Sequence, residues 1–515
     1  MILLGVGVSI AVVVLVGFYV SRRIEGDSSN FLVGGRMLPF WLVGGALMGS
    51  AVDTNATLGN TDLAYEFGFW AGAALPLGLA LCLTLTGLFF ARPMNRMGLT
   101  SFPDYYRLRF GRPVEIGASV LLAVAFCMLV AGNLVAGGFL FNYFLGMPYW
   151  VGVVLIAALA VAYTGTGGLI ADAYTAIIQM GLILIGAIGL LIWMASTHSL
   201  EIADGTGPFA LGQLSDPAQG AVINWATLIA LGIGDIVAID FMQRVFAAKS
   251  PDSARRACFV AATGTVAICV PFGLVVLAAK SFMPEELDGP VLFVLLGEYA
   301  PPVLTVVVLC GLVGASMSTA NGAILAISNV CVRNLGGIRR VHVAGRRDPL
   351  LRATRIAMVP MTLFSIALAI YVQQTGILLT LAFDLLLACL AVPFILGLVW
   401  RRGTVAAAVA AMGVGLVVRL TLFVVTPTIY GVDNTILYVP NDIVTTAFDG
   451  WPTFIAFAAA ILTYVSVSLS TRSAHFRGLD IQVAKDVDDA LDETAEALER
   501  EPVTADAAPP YARAR

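Results

Sequence analysis

Apolar runs of 18 or more residues follow one another along this chain, and that pattern removes most folds from consideration. A stretch of about 20 apolar residues carries an α-helix across the hydrocarbon core of a bilayer. The alternating segments of about ten residues that mark a spanning β-barrel are absent. Charged residues make up only 12% of the chain, against about 25% in soluble domains. Each span must satisfy its backbone groups within its own helix, so the expected fold class is an all-α integral membrane protein.

Thirteen transmembrane helices are expected, at about residues 2–20, 38–65, 70–91, 114–140, 149–165, 168–195, 221–247, 257–279, 300–331, 354–373, 376–400, 404–427 and 452–470. Loop charge supports an odd count. Residues 92–113 carry five arginines and one acid, 249–256 three basic residues and one acid, and 331–355 seven arginines and one acid. Each of these loops follows an odd-numbered span. Residues 196–220 and 428–451 carry no Lys or Arg. The positive-inside rule then puts the N-terminus outside and the C-terminus in the cytoplasm of a multi-pass plasma-membrane protein.

Other features are less informative. The net charge of −4 resides in loops and tail, and no nucleic-acid partner is expected. The seven cysteines lie in or beside apolar runs without a CxxC spacing and read as buried free thiols. His198, His342 and His475 fall in loops or flanks, which argues against a buried histidine metal site. The first apolar segment lacks a basic n-region and a small-residue cleavage site, and reads as a retained span. In the tail, nine acids between 480 and 501 face Lys485 and Arg500, and Val483, Val487, Leu491 and Leu498 fall on one helical side. A solvated acidic cytoplasmic tail, 471–515, is the expected outcome.

Two spans are interrupted. The second contains GSAVDTNATLGN, residues 49–60, and the seventh GIGDIVAID, residues 232–240. They open two successive five-span blocks, spans 2–6 and 7–11. Polar, glycine-interrupted spans at corresponding places in two repeats point to the central site of a transporter.

At this point a resemblance emerges. SAVDTNATLG in the second span, RPMNRMGLTSFPDYYRLRFG at 92–111, YTGTGGLIADAYTAIIQ at 163–179, DFMQRVFAAKSPDSARRA at 240–257 and GASMSTANGAI at 314–324 resemble, in order and spacing, the sodium:solute symporter family. The resemblance covers residues 30–400. It implies a five-plus-five inverted-repeat core of leucine-transporter type. The corresponding domains are an extra N-terminal span and loop at 1–37, a core at 38–400 with repeats 38–195 and 221–400, and two C-terminal spans at 401–470. The chain is therefore expected to be no enzyme but a secondary transporter of a small organic solute. Na+ would be its coupling ion, with no organic cofactor and the lipid bilayer as its surroundings.

Sodium favours five or six oxygen ligands, mostly neutral so that it can leave. The adjacent hydroxyls Ser318 and Thr319 suit that need. The resemblance implies them as ligands, with the backbone carbonyls of Ala315, Ala51 and Thr54. Read alone, Ser318 and Thr319 would bond back to carbonyls one turn earlier. Asp53 lies between two of the carbonyl positions. A mid-span acid costs about 2.5–3.5 kcal/mol by insertion scales and marks a functional candidate; the resemblance implies a role in sodium coupling, and a cap within the break is compatible with it.

One departure matters. Many relatives carry Thr-Asp where this chain has Thr175-Ala176, so the carboxylate of a second sodium site is gone and one sodium per cycle is expected. Asp172, four residues earlier, either substitutes or favours the first turn of its helix, and the latter is the preferred reading. Asp235, Asn55 and Asn321 are substrate-binding candidates, and Asn133 is hydrogen-bonding lining or interhelical glue. Asp240 is expected to pair with Arg244 at i, i+4. Asp384 and Arg419, at equal depth on neighbouring spans, are expected to form a structural bridge. Proton-coupled symport of a cationic or amine solute is the alternative function. The short tail argues against a membrane sensor, and the broken repeats against a channel.

Overall fold

The computed structural model describes residues 2–24, 26–198, 200–284, 286–338, 348–373 and 375–471. The acidic tail with its candidate helical stripe lies outside the described residues, as do His342 and His475. The main helices are α1 (Ile2–Ser21), α2 (Phe40–Ala51), α3 (Asn60–Phe67), α4 (Phe69–Leu85), α5 (Arg112–Leu145), α6 (Tyr149–Thr197) and α7 (Ala221–Ile229). They continue with α8 (Ile239–Ala247), α9 (Pro251–Ala279), α10 (Pro302–Asn329), α11 (Pro349–Tyr371), α12 (Thr375–Leu386), α13 (Val405–Val425) and α14 (Trp451–Ser470). A π turn leads from α12 into a last helical stretch, Val392–Val399. Among the described residues nine helices are long and apolar enough to cross a membrane, or ten if α7 and α8, bent by 49°, are one span.

The longest helix, α6, has 49 residues. Straight, it would run for about 74 Å, more than twice the hydrocarbon thickness. It does not run straight. Gly168 has φ 52° and ψ −156°, outside any helix. Tyr163 and Thr175, twelve residues apart, bring their hydroxyls to 2.5 Å, so the chain folds back on itself there. The sequence marks this point with Gly167-Gly168. A Cβ at Gly168 would also lie 2.5 Å from the Phe31 carbonyl oxygen. Only glycine adopts such a conformation freely, at a cost to others of order 1–3 kcal/mol. Gly168→Ala is therefore expected to lower the thermal midpoint of the purified protein clearly below that of Gly165→Ala, which has open space around its Cβ; equal midpoints would contradict the fold-back.

The arginine-rich loops gather at one end of the bundle. Asn95 Nδ2 donates to the carbonyls of Val245 (2.8 Å) and Ala248 (2.9 Å), and Arg92 pairs with Asp252 at 2.6 Å. Asp104 receives Arg333 Nε at 2.9 Å and Asn334 Nδ2 at 2.9 Å, while Arg109 Nε donates to the Gly397 carbonyl at 2.8 Å. The 92–111 segment thus latches the ends of α10 and of the helix after α12. At the other end the loops are tied separately, by Phe69 N–H to the Thr206 carbonyl (2.8 Å) and Lys280 Nζ to the Tyr65 carbonyl (2.8 Å).

Arg419 Nε donates to Asp384 Oδ2, and Thr453 from α14 donates to the same oxygen at 3.2 Å. All three are buried. The expected bridge therefore exists, and it pins both C-terminal helices to α12.

Candidate functional site

The site starts with a helix that stops early. α2 ends at Ala51 because Val52, with ψ 69°, leaves the helical path. In a continuous helix the N–H of Thr54 would bond the Ser50 carbonyl. Here it turns to Asn133 Oδ1 at 3.4 Å, and Thr54 Oγ1 reaches the same atom at 3.2 Å. The carbonyls at the end of α2 thereby lose their helical partners, as helix C-termini do.

α10 supplies what meets them. Thr319 Oγ1 lies 3.1 Å from the Gly49 carbonyl, 3.4 Å from Ser50 and 3.3 Å from Ala315, one turn earlier on its own helix. Ser318 does not bond back. Its Oγ donates to Asp172 Oδ1 at 3.3 Å. A Cβ on Gly49 would stand 2.8 Å from Ser318 Oγ and 3.1 Å from the Ala176 methyl, so glycine is what lets α2 lie this close. The structure therefore brings Ala315, Ser318 and Thr319 together with the carbonyls of Gly49 and Ser50. Ala51 is the next residue along. Thr54 sits across the break, its hydroxyl on Asn133 and its carbonyl 3.2 Å from Thr57 Oγ1.

Asp53 caps the resumed helix. Its Oδ1 accepts from Ala56 N–H at 2.8 Å, and its Oδ2 from Asn55 Nδ2 at 2.8 Å and Asn133 Nδ2 at 3.4 Å. Asn133 is the glue, since its own carbonyl also accepts from Ser316 Oγ at 3.0 Å. A π turn, Asn55–Gly59, carries the chain into α3.

The seventh span breaks through a π turn, Ala230–Gly234, a 3-10 turn, Asp235–Val237, and extended Ala238 (ψ 124°) before α8. Both breaks pack on the same two helices, α4 and α12. Arg244, fully buried on α8, sits 2.7 Å from Asp172 and 3.6 Å from Asp240. The i, i+4 pairing with Asp240 is present, but the shorter contact is to Asp172, which no local pattern announces. Asp172 is also in the first turn after Gly168, so its placement and its partner coincide. Asp235 differs from the other acids of these breaks: it is wholly buried, and among the described residues its carboxylate has no N–H or O–H donor, only the weak thiol of Cys82 beside it. The Oδ1 atoms of Asn55 and Asn321 are likewise buried without a partner there.

A cavity of about 1060 Å³ descends from the end opposite the arginine-rich loops. Its walls include Asp62, Glu66, Tyr65 and Tyr430, and it reaches Leu58, Gly59, Thr227 and Thr380. None of Ser318, Thr319, Asp53, Asp172, Asp235 and Asp240 lines it.

A profile of the sodium:solute symporter family matches residues 31–415. The chain is similar to the high-affinity choline transporter 1 of Drosophila melanogaster, 26% identical over 348 residues, or 63% of this chain and 55% of that one. It is also similar to the high-affinity proline transporter PutP of Bacillus subtilis, 24% identical over 78% of this chain and 88% of the relative. The chain spans 55–66% of the length of the choline transporters it matches. Among solved structures, the substrate-bound outward-open state of a Na+-coupled sialic acid symporter superposes with TM-score 0.74 at 18% identity, over 93% of this chain and 99% of the other.

Proposed function

Because the chain belongs to the sodium:solute symporter family, a family of membrane transporters, we propose that it moves one sodium ion and a small organic solute together into the cell by alternating access. The observation that carries this reading is the group of oxygens where α10 meets the broken end of α2: three carbonyls within 3.4 Å of Thr319 Oγ1, with Ser318 Oγ beside them. Neutral oxygens in that density suit a hard monovalent cation that must bind and leave. Ala51 and Thr54 would complete the shell once the break adjusts around the ion. Asp53, through its cap, links the shape of that break to occupancy.

In this reading the spans number thirteen, counting α1, the α2–α3 pair, both arms of α6 and the α7–α8 pair. Residues 38–195 and 221–400 are inverted repeats, 1–37 precede them and 401–470 follow. The arginine-rich end faces the cytoplasm, so the N-terminus is outside and the large cavity opens outward over a latched inner end.

The energetics are adequate. One charge crossing 100 mV releases about 2.3 kcal/mol, and a tenfold sodium gradient adds about 1.4 kcal/mol. Together they support roughly 500-fold accumulation of a neutral solute. Proteoliposomes given labelled choline, proline, a sugar and a monocarboxylate test the reading. Saturable uptake of one solute that needs an inward sodium gradient is expected. Uptake that persists without sodium and follows a pH gradient would overturn sodium in favour of proton coupling.

A further inference from the structure

Four carboxylates are buried around the two breaks, Asp53, Asp172, Asp235 and Asp240, and among the described residues Arg244 is the one basic side chain that pairs with any of them. Arg244 is taken by Asp172 and Asp240. Asp53 is satisfied by backbone and amide donors. Asp235 is left, wholly buried, with no N–H or O–H donor on either oxygen among the described residues and only the weak thiol donor of Cys82 beside it. A buried carboxylate without a partner is costly enough that such a group calls for one. A sodium ion beside Thr319 balances one charge of this set and leaves Asp235 without a cation of its own.

The approach to Asp235 has the same sign. The cavity above it is walled by Asp62 and Glu66, and its one Lys or Arg side chain, Lys280, is held by the Tyr65 carbonyl and ring. Residues 196–220, 280–301 and 428–451, at that end of the bundle, contain many acids and no Lys or Arg except Lys280. Such a surface concentrates cations at its mouth. Thr227, on the cavity floor, lies two helical turns above Asp235 on the same span, roughly 10 Å away.

We propose that the solute is a small organic cation, and that its positive group is held by Asp235 in the break of the seventh span. This rests on the symporter reading above and deepens it: α10 and α2 hold the sodium, and the seventh span holds the solute charge. The floor at Leu58, Gly59, Thr227 and Thr380 is the layer that must part to admit it.

The test compares probes that differ in charge but not in shape. Choline and its neutral isostere 3,3-dimethyl-1-butanol, together with tetramethylammonium, ethanolammonium and putrescine, are titrated into the full-length purified protein with and without sodium. Binding is read by calorimetry, and the sodium-induced thermal shift is read in parallel. At least one cation is expected to bind, and a cation to bind at least tenfold tighter than its neutral isostere. Asp235→Asn should abolish that discrimination while keeping the sodium-induced shift. If Asp235→Asn loses the sodium shift as well, Asp235→Glu decides, and it must retain cation preference. Failure of every cation to bind, equal binding of the isostere, or unchanged discrimination in Asp235→Asn overturns the inference. Loss of the sodium shift in the native protein is a separate result and overturns the sodium reading instead.

Discussion

The double variant Ser318→Ala, Thr319→Ala is expected to need at least 100-fold more sodium for half-maximal uptake. A hydrogen bond or ligand contact to a charged partner contributes about 1.5–3 kcal/mol, and this variant removes two oxygens from one shell. The sum lies near 3–6 kcal/mol, which is roughly a hundredfold or more in affinity. Folding should survive, because both side chains are small and each alanine keeps the helix. The sodium-induced thermal shift of the purified variant checks the same point without a known solute. Normal sodium dependence in this variant would remove the site from α10 altogether. Thr319→Ser makes a useful control: it keeps the oxygen and should lie close to the native protein.

Arg244→Met carries the second large effect. Arg244, Asp172 and Asp240 are each no more than 2% exposed, so the variant leaves two carboxylates in the interior with no guanidinium. Removing one member of a buried ion pair costs about 3–5 kcal/mol, whereas replacing all members with neutral groups is often tolerated. The expected result is a steep loss of thermal stability in Arg244→Met and substantial recovery when Asp172→Asn and Asp240→Asn are added. A native-like midpoint for Arg244→Met alone would show that the network holds nothing together. Ser318 reports on it too. Its hydroxyl leans on Asp172, so the neutralised triple variant should also bind sodium more weakly than the native protein.

How much of this was legible from residues alone depends on the range of the interaction. Hydropathy runs and arginine-rich loops are local, and they marked where long apolar helices run and which loops share one end. The breaks at 49–60 and 232–240 announced themselves through polar residues and glycine in otherwise apolar runs. Asp384 and Arg419 could be paired because depth along neighbouring antiparallel spans is a one-dimensional quantity. The contact between Asp172 and Arg244 crosses 72 positions and depends on how the fold-back at Gly168 presents its second arm. No periodicity carries that information, so Arg244 was assigned to its nearest acid in sequence. The carbonyls of Gly49 and Ser50 were missed for a similar reason. Backbone atoms have no letter in a sequence, and which carbonyls a break exposes follows from how the backbone turns at Val52 and Asp53.

Thr319 has a consequence for the return half of any cycle. Its hydroxyl proton already points into the group of carbonyls that would surround an ion. On the proposed reading, a cation arriving there would displace a proton's orientation and not an empty space: the hydroxyl would rotate and present its lone pairs, and the carbonyls would exchange one positive neighbour for another. On the ion's departure the rotor would swing back, and the interior would have a spare plug for its own lone pairs. The emptied protein would then be spared the full desolvation cost of bare carbonyls. An alanine in this position would lack that plug, so it should slow the unloaded return as well as weaken binding.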